Sequence, residues 1–158
     1  MSLELELIQD DDRWKRVENI DFICANIART LSSKLSYSQP VQAAVLLTDD
    51  TRLFELNAQF RNQQKATNVL SFPSGDNEPD PDTGNIYLGD IAISFDTVSK
   101  EAEEANKPLK NHLMHMFVHG VLHLSGYDHE TDQEADEMEQ LETEILKEFG
   151  VPDPYEAS

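Results

Sequence analysis

Cysteine is almost absent from this sequence, which contains a single one, Cys24, among 158 residues. One thiol cannot form an internal disulfide framework. It also cannot build a closed structural zinc site, because such sites usually contain several cysteines. Cys24 falls among the apolar positions of a predicted helix, and an apolar setting keeps a thiol protonated. We therefore expect Cys24 to be a core residue without redox function.

Positive charge is also scarce. The chain has 12 Lys and Arg against 31 Asp and Glu, and its net charge of −19 favours solubility and repels polyanions on average. A polyanion-binding function therefore requires locally concentrated cations. Residues 13–34 hold five cations against two acids, residues 52–65 hold three against one, and residues 130–148 hold nine acids against one cation. This asymmetry predicts one side that attracts a polyanion and a final helix that suits a basic partner.

Long hydrophobic runs are missing as well. The longest continuous aliphatic run is Ala43–Leu47, far below the roughly 20 residues that a membrane-spanning helix needs. The first residues also lack the basic and then apolar pattern of a secretory signal. These absences predict that the chain has no membrane segment and is cytoplasmic.

Four segments have the pattern of β-strands. Leu3–Ile8 alternates apolar and acidic residues, as expected of a strand with one buried face. Val41–Leu47 is a short apolar run that indicates a strand buried on both faces, and we expect it to pair with the first. The other two predicted strands are Thr67–Phe72, which stops at Pro73, and Leu88–Ser94.

Helical periodicity accounts for much of the remaining chain. It predicts a helix from Trp14 to about Leu31, and capping residues mark later helices beginning at Asp49 or Asp50, at Asp96 and at Thr131. A further helix follows Pro108. Residues 74–85 contain two glycines, two prolines and several acids, which predicts a flexible surface loop. The order of strands and helices, with three helices last, predicts an α+β fold in a single domain over residues 1–158.

The most informative stretch is His-Gly-Val-Leu-His-Leu-Ser-Gly-Tyr-Asp-His, residues 119–129. On a helix, His119 and His123 are four residues apart, so their side chains lie on one face as two ligands of one ion would. Gly126 can adopt the left-handed conformation that ends a helix, which would let His129 fold back as a third ligand. The spacing therefore predicts a metal site at His119, His123 and His129.

The ligand set indicates the chemistry of this site. Three neutral imidazoles suit zinc, and three protein ligands leave the fourth tetrahedral position open, as in catalytic rather than structural sites. Zinc held in this way lowers the pKa of bound water to about 7, so hydrolysis is the expected reaction class. We expect one Zn²⁺ per chain. His112 and His115 precede these ligands on the same helix, where they could be packed polar residues or could support the site or its substrate.

The motif resembles two families. Its spacing is similar to the HExxHxxGxxH of the metzincin zinc peptidases, but Gly120 stands where those peptidases have their general-base glutamate. A peptidase would need another base, such as Asp128. The full string HGVLHLSGYDH resembles the YbeY family of bacterial endoribonucleases and ribosomal RNA maturation factors almost letter for letter.

A second signature supports the YbeY resemblance. Asn57-Ala-Gln-Phe-Arg61, followed by residues 66–73, is similar to a second family motif whose arginine is functional. From the residues alone, Arg61 is a solvated cation at the end of a helix. The resemblance instead implies a catalytic or substrate-binding arginine, whose planar fork suits phosphate. Leu-Gly-Asp-Ile at residues 88–91 also resembles the family pattern. Asp90 is interpreted either as part of that pattern or as a turn residue.

The resemblance implies a fold, a function and partners. The fold would be a small mixed sheet with covering helices, akin to the zincin metal-dependent hydrolases. The function would be zinc-dependent cleavage of single-stranded RNA in ribosomal RNA processing and ribosome biogenesis, including maturation of the 16S rRNA 3′ end. Its partners would be the rRNA precursor and ribosomal proteins or the small subunit. The alternatives are a zinc metallopeptidase and a non-enzymatic ribosome-assembly factor with a bound metal.

Overall fold

Four strands form one mixed β-sheet in the computed structural model, which describes residues 3–61, 67–75, 78–128 and 130–155, without the side chains of residues 60 and 61. The spatial order is first, second, fourth, third. The first, second and fourth strands are parallel, and the third pairs antiparallel with the fourth at one edge. The strands are β1 (Leu3–Gln9), β2 (Val41–Thr48), β3 (Val69–Pro73) and β4 (Ile86–Ser94).

Five α-helices accompany the sheet, and the last three follow β4 without a further strand among the described residues. This arrangement confirms the predicted α+β class and the predicted pairing of the first two strands. No helix in the described part of the chain is both long enough and apolar enough to cross a membrane. The helices are α1 (Ile20–Leu35), α2 (Asp50–Arg61), α3 (Phe95–Glu104), α4 (Leu109–Leu124) and α5 (Asp132–Lys147).

The first helix does not begin at Trp14, so that prediction was wrong. Asp12–Arg16 forms a short 3₁₀ turn, and α1 begins at Ile20, after Asn19 takes a left-handed conformation with φ 57°. The turn places the Trp14 indole in the core, where its Nε1–H donates to the Thr48 carbonyl oxygen at 3.1 Å. Burying the ring and satisfying its N–H outweighs the continuous helical pattern of the sequence. Cys24 is buried on α1 as predicted, and burial, with Asp21 adding to it, raises the pKa of its thiol to about 12.

Two of the three predicted helix caps are confirmed. The backbone N–H of Arg52 donates to the Asp49 carboxylate at 2.9 Å, and that of Glu134 donates to the Thr131 hydroxyl at 3.1 Å. Asp96 is not a cap, because α3 begins one residue earlier, after Ser94. Its carboxylate instead accepts hydrogen bonds from Arg13 at 2.6 Å and from the Asp50 backbone N–H at 3.0 Å, which joins three segments.

The sheet is covered unequally on its two faces. On one face, α2 packs Leu53 against Leu70 and Ala92 in a small separate cluster. The larger core contains α4, in which Leu113 and Phe117 are completely buried. A helix so largely apolar has to lie inside the molecule, so the segment that carries the histidines is also the centre of the core.

Gly120 is a point of close approach between α4 and the sheet. A Cβ atom at this position would lie 2.9 Å from Cγ2 and 3.0 Å from Cδ1 of Ile91 on β4. The missing side chain therefore makes room for close packing of the helix on the sheet. The Ser71 hydroxyl also donates to the Gly120 carbonyl oxygen at 3.3 Å.

We expect Gly120→Ala to destabilise the protein by about 1–2 kcal/mol. Overpacking a core commonly costs about 1–3 kcal/mol, and the better helix propensity of alanine offsets up to about 1 kcal/mol of this. Urea unfolding measures the difference. The double variant with Ile91→Val, which removes Cδ1, should recover part of the loss. A Gly120→Ala protein as stable as the original would mean that the cost of moving Ile91 aside is no larger than the gain of about 1 kcal/mol in helix propensity.

Candidate metal centre

The last two turns of α4 position His119 and His123. Both side chains are half-buried, on a helix whose other residues in this part are mostly buried in the core. The helix ends at Leu124, and Gly126 takes a positive φ of 103°, as the sequence predicts. The backbone N–H of Tyr127 then donates to the Leu122 carbonyl oxygen at 3.0 Å, which closes the turn. The predicted ligand His129 lies outside the described residues.

The two imidazoles converge on one point. Their Nε2 atoms are 3.1 Å apart, and their ring centroids are separated by 4.6 Å at an interplanar angle of 80°. Two nitrogen ligands of a tetrahedral zinc ion, each at 2.0–2.1 Å from the metal, lie roughly 3.3 Å apart. The structure thus brings His119 and His123 to the separation that a shared ion requires.

Glu142 is the residue that the sequence interpretation missed. It projects from α5 and its side chain is completely buried. One carboxylate oxygen, Oε2, is hydrogen-bonded to Nε2 of His115 and lies 3.4 Å from Nδ1 of His119. The other, Oε1, accepts a hydrogen bond from the Tyr155 hydroxyl at 2.9 Å. The carboxylate is therefore surrounded by donors in the interior of the protein.

The sequence did contain a signal for Glu142. It lies four residues after Met138 and three before Ile145, so it interrupts the apolar stripe of α5. The same helix has many other acids on its exposed face, so Glu142 is not conspicuous in the sequence. A single acid at a core position is the unusual observation, because buried carboxylates occur almost only where they are paired.

Charge and hydrogen bonding set the protonation of this group. Burial by itself raises the pKa of the Glu142 carboxyl, but the hydrogen bonds from His115 and His119 outweigh it and lower that pKa to about 2. Burial, with the neighbouring Glu142 carboxylate adding to it, raises the pKa of Tyr155 well above its usual range. The carboxylate is therefore ionised at neutral pH and the tyrosine keeps its proton as a donor.

His112 and His115 occupy the preceding turns of α4, where both contact carboxylates from other helices. Nε2 of His112 lies 3.0 Å from the Glu101 carboxylate of α3, and burial lowers the pKa of His112. His115, His119 and Glu142 also place one potential ligand atom each within 4.8 Å of one another. The described residues thus offer two groups of potential metal ligands, and both include His119. One group is His119 with His123, and the other is His119 with His115 and Glu142.

The remaining predicted residues are less closely defined. Arg61 is the last residue of α2, and its side chain is not among those described. Asp90 is an exposed residue within β4, where it accepts a hydrogen bond from the Tyr87 hydroxyl, so its interpretation as a turn residue was wrong. Asp128 follows the Gly126 turn and is half-buried.

An α+β fold whose central helix presents convergent imidazoles beside a buried carboxylate has the features of a metal-dependent hydrolase. Comparison with known proteins defines the class further. The family model described as "Endoribonuclease YbeY" matches residues 7–150, and the chain belongs to this family of endoribonucleases.

Individual relatives agree with the family match. An endoribonuclease YbeY of Rhodopseudomonas palustris is 54% identical over 151 residues, covering 95% of this chain and 80% of that protein. One from Jannaschia sp. is 39% identical, covering 97% of this chain and 100% of that protein. The solution structure of TM1509 from Thermotoga maritima has 24% identity and a TM-score of 0.60, covering 97% of this chain and 99% of that one. This last likeness supports the fold alone.

Proposed function

We propose that this protein is a zinc-dependent endoribonuclease that cleaves single-stranded RNA and takes part in maturation of the 16S rRNA 3′ end and in ribosome biogenesis. The observation that carries the proposal is the pair of Nε2 atoms of His119 and His123, 3.1 Å apart, in a chain of the YbeY family. We place the activity in the cytoplasm and in one domain spanning residues 1–158.

The residues present fit one zinc ion. His119 and His123 supply two nitrogen donors at a suitable separation, and we assign His129 as the third ligand from its place in the motif. A set of neutral imidazoles with no thiolate favours zinc among the common divalent ions. When bound, zinc supplies a Lewis acid for a phosphoryl oxygen and a bound water with a pKa near 7. We also propose that the core is zincin-like, since an HxxxH helix beneath a mixed sheet is the arrangement shared with those hydrolases.

Arg61 is the proposed substrate-binding and charge-stabilising residue. It ends α2, which packs on the face of the sheet opposite Gly120. Its guanidinium is always protonated and can bind two phosphoryl oxygens at once. A fixed donor fork of this kind stabilises the negative charge that develops on those oxygens during cleavage.

Some of the cations counted in the sequence are paired with acids in the structure. Arg13 lies 2.7 Å from Asp11 and 2.6 Å from Asp96, and Arg52 lies 3.3 Å from Glu55. Two of the cations expected to attract RNA are therefore partly neutralised within the protein. The exposed acids of α5 remain, and we propose that they face a basic partner such as a ribosomal protein.

The packing of Gly120 argues against a metallopeptidase. A peptidase of the HExxH type has its general-base glutamate at this position, directly after the first histidine. Here the residue is glycine, and a Cβ atom at this position would lie 2.9 Å from Ile91, so a side chain fits only if Ile91 shifts. The endoribonuclease function is therefore favoured over the peptidase.

Cleavage assays with defined metal content test the proposal. Purified protein should contain one zinc per chain and should cut a labelled single-stranded RNA faster than the same sequence in a duplex. Removing the metal with a chelator should abolish cleavage, and adding zinc back should restore it. A zinc-loaded protein that binds RNA without cutting it would support the non-enzymatic assembly factor, and robust cleavage of peptides would support the metallopeptidase.

A further inference from the structure

Glu142 lies on the side of the His119 ring that is opposite the proposed metal position. Its carboxylate oxygen Oε2 lies 3.4 Å from Nδ1 of His119. The other nitrogen of the same ring, Nε2, is the one that faces His123. The imidazole of His119 therefore lies between a buried carboxylate on one side and the proposed metal position on the other.

We propose that Glu142 is a positioning residue that keeps the proton of His119 on Nδ1 and so leaves the Nε2 lone pair available to the metal. An imidazole has one proton when neutral, and a negative charge beside Nδ1 favours protonation there. A carboxylate that accepts from the outer nitrogen of a ligating histidine also fixes the ring orientation and raises the basicity of the ligand. This inference rests on the metal centre of the proposed function.

The surroundings of Glu142 show how the carboxylate is held in place. His115 binds the same oxygen that faces His119, and the Tyr155 hydroxyl donates to the other oxygen. Tyr155 belongs to the segment after α5, so α4, α5 and the C-terminal segment all meet at this carboxylate. A buried charge is costly unless it is fully hydrogen-bonded, and these three residues supply its partners.

The contacts favour this role over direct coordination by Glu142. His115 and Glu142 are joined by a direct hydrogen bond, and an ion between them would have to replace that contact. The Nε2 atoms of His119 and His123 already lie at a distance that suits one ion. We therefore place the metal on the His123 side of His119 and leave Glu142 outside the ligand set.

The first test is the zinc affinity of Glu142→Gln, measured by competition with a chromophoric chelator. Glutamine keeps the size of the side chain but removes the negative charge, so we expect the affinity to fall by about 10–100-fold. The matched control is Glu144→Gln, which makes the same chemical change at an exposed position of α5 and should leave the affinity unchanged. Tyr155→Phe removes one support of the carboxylate and should give a smaller decrease than Glu142→Gln.

The second test measures the position of the proton without metal or substrate. Nitrogen-15 NMR of the metal-free protein distinguishes Nδ1–H from Nε2–H in a neutral histidine. We expect His119 to be protonated on Nδ1 in the original protein and to lose this preference in Glu142→Gln. Glu144→Gln should retain it. If Glu142→Gln does not fold, the state of His119 in the original protein decides the question.

Three results would overturn the inference. The first is a metal-free original protein with His119 protonated on Nε2. The second is a Glu142→Gln protein with the same His119 state and zinc affinity as the original. The third is a folded Glu142→Gln protein that retains no zinc at stoichiometric metal, since that would make Glu142 a ligand. Neither measurement uses RNA, so a protein that fails to cleave RNA would contradict the proposed function and leave this test intact.

Discussion

Replacing His123 with alanine should remove zinc from the protein and lower RNA cleavage by at least about 10³-fold. The substitution deletes one of the two nitrogen atoms that lie 3.1 Å apart, so the ion loses a ligand. A Lewis acid contributes several kcal/mol to stabilising the transition state, and each 1.4 kcal/mol is a factor of ten in rate. Elemental analysis and single-turnover cleavage of labelled RNA measure the two effects on the same preparation.

A control for this experiment lies on the same helix. His112→Ala also removes an imidazole from α4, but it does so beside Glu101, three turns from His123. It should keep one zinc per chain even if it lowers stability. His119→Ala and His129→Ala should behave as His123→Ala does. Full zinc in all three variants would reject the site, whereas full zinc in only one would remove that residue from the ligand set.

Arg61→Lys should reduce the cleavage rate by about 10²–10³-fold while leaving the zinc content unchanged. Lysine keeps the charge but provides a point charge in place of the planar fork, and loss of one preorganised donor commonly costs this much in rate. Because Arg61 is not a proposed ligand, the variant separates chemistry from metal binding. Cleavage rates of the original protein, Arg61→Lys and Arg61→Ala are compared at equal zinc occupancy.

Arg52→Lys is the matched control for Arg61→Lys. Arg52 lies on the same helix, its side chain is about half exposed, and its partner is Glu55. The control should cleave RNA at the original rate. Equal rates for all the Arg61 variants would make that residue a solvated cation at the end of α2. The mechanism would then depend on the metal site alone.

The sequence predicted those features that depend on local patterns. Leu3–Gln9 alternates and forms a strand, and Pro108 and Gly126 bound the histidine helix as expected. The positions of His119 and His123 followed from helical spacing, because residues four apart lie on one face wherever the helix packs. Local patterns were therefore sufficient for α4 and for the convergence of the two histidines that we propose as ligands.

The features that were missed depend on residues far apart in sequence. Trp14 is not part of the helix that its spacing predicts, because its indole donates a hydrogen bond to the Thr48 carbonyl oxygen. No local sequence pattern predicts this contact. Glu142 resembles the other acids of α5 until its partners on α4 are known. The sequence analysis counted Arg13 among the cations that could attract a polyanion, whereas in the structure Arg13 forms ion pairs with Asp11 and Asp96. Each case is a tertiary contact that outweighs a local preference.

The parallel pairing of the two central strands constrains the order in which the chain can fold. The two central strands, β2 and β4, pair in parallel and are separated in sequence by α2 and β3. Pairing between such distant segments is slow, because the chain loses the entropy of closing a long loop before the strands form stabilising contacts. During synthesis, β1 and β2 can pair with each other, but the other edge of β2 has no partner until residues 86–94 have been made. The histidine helix comes later still, so the proposed metal centre is completed only after the sheet that supports it.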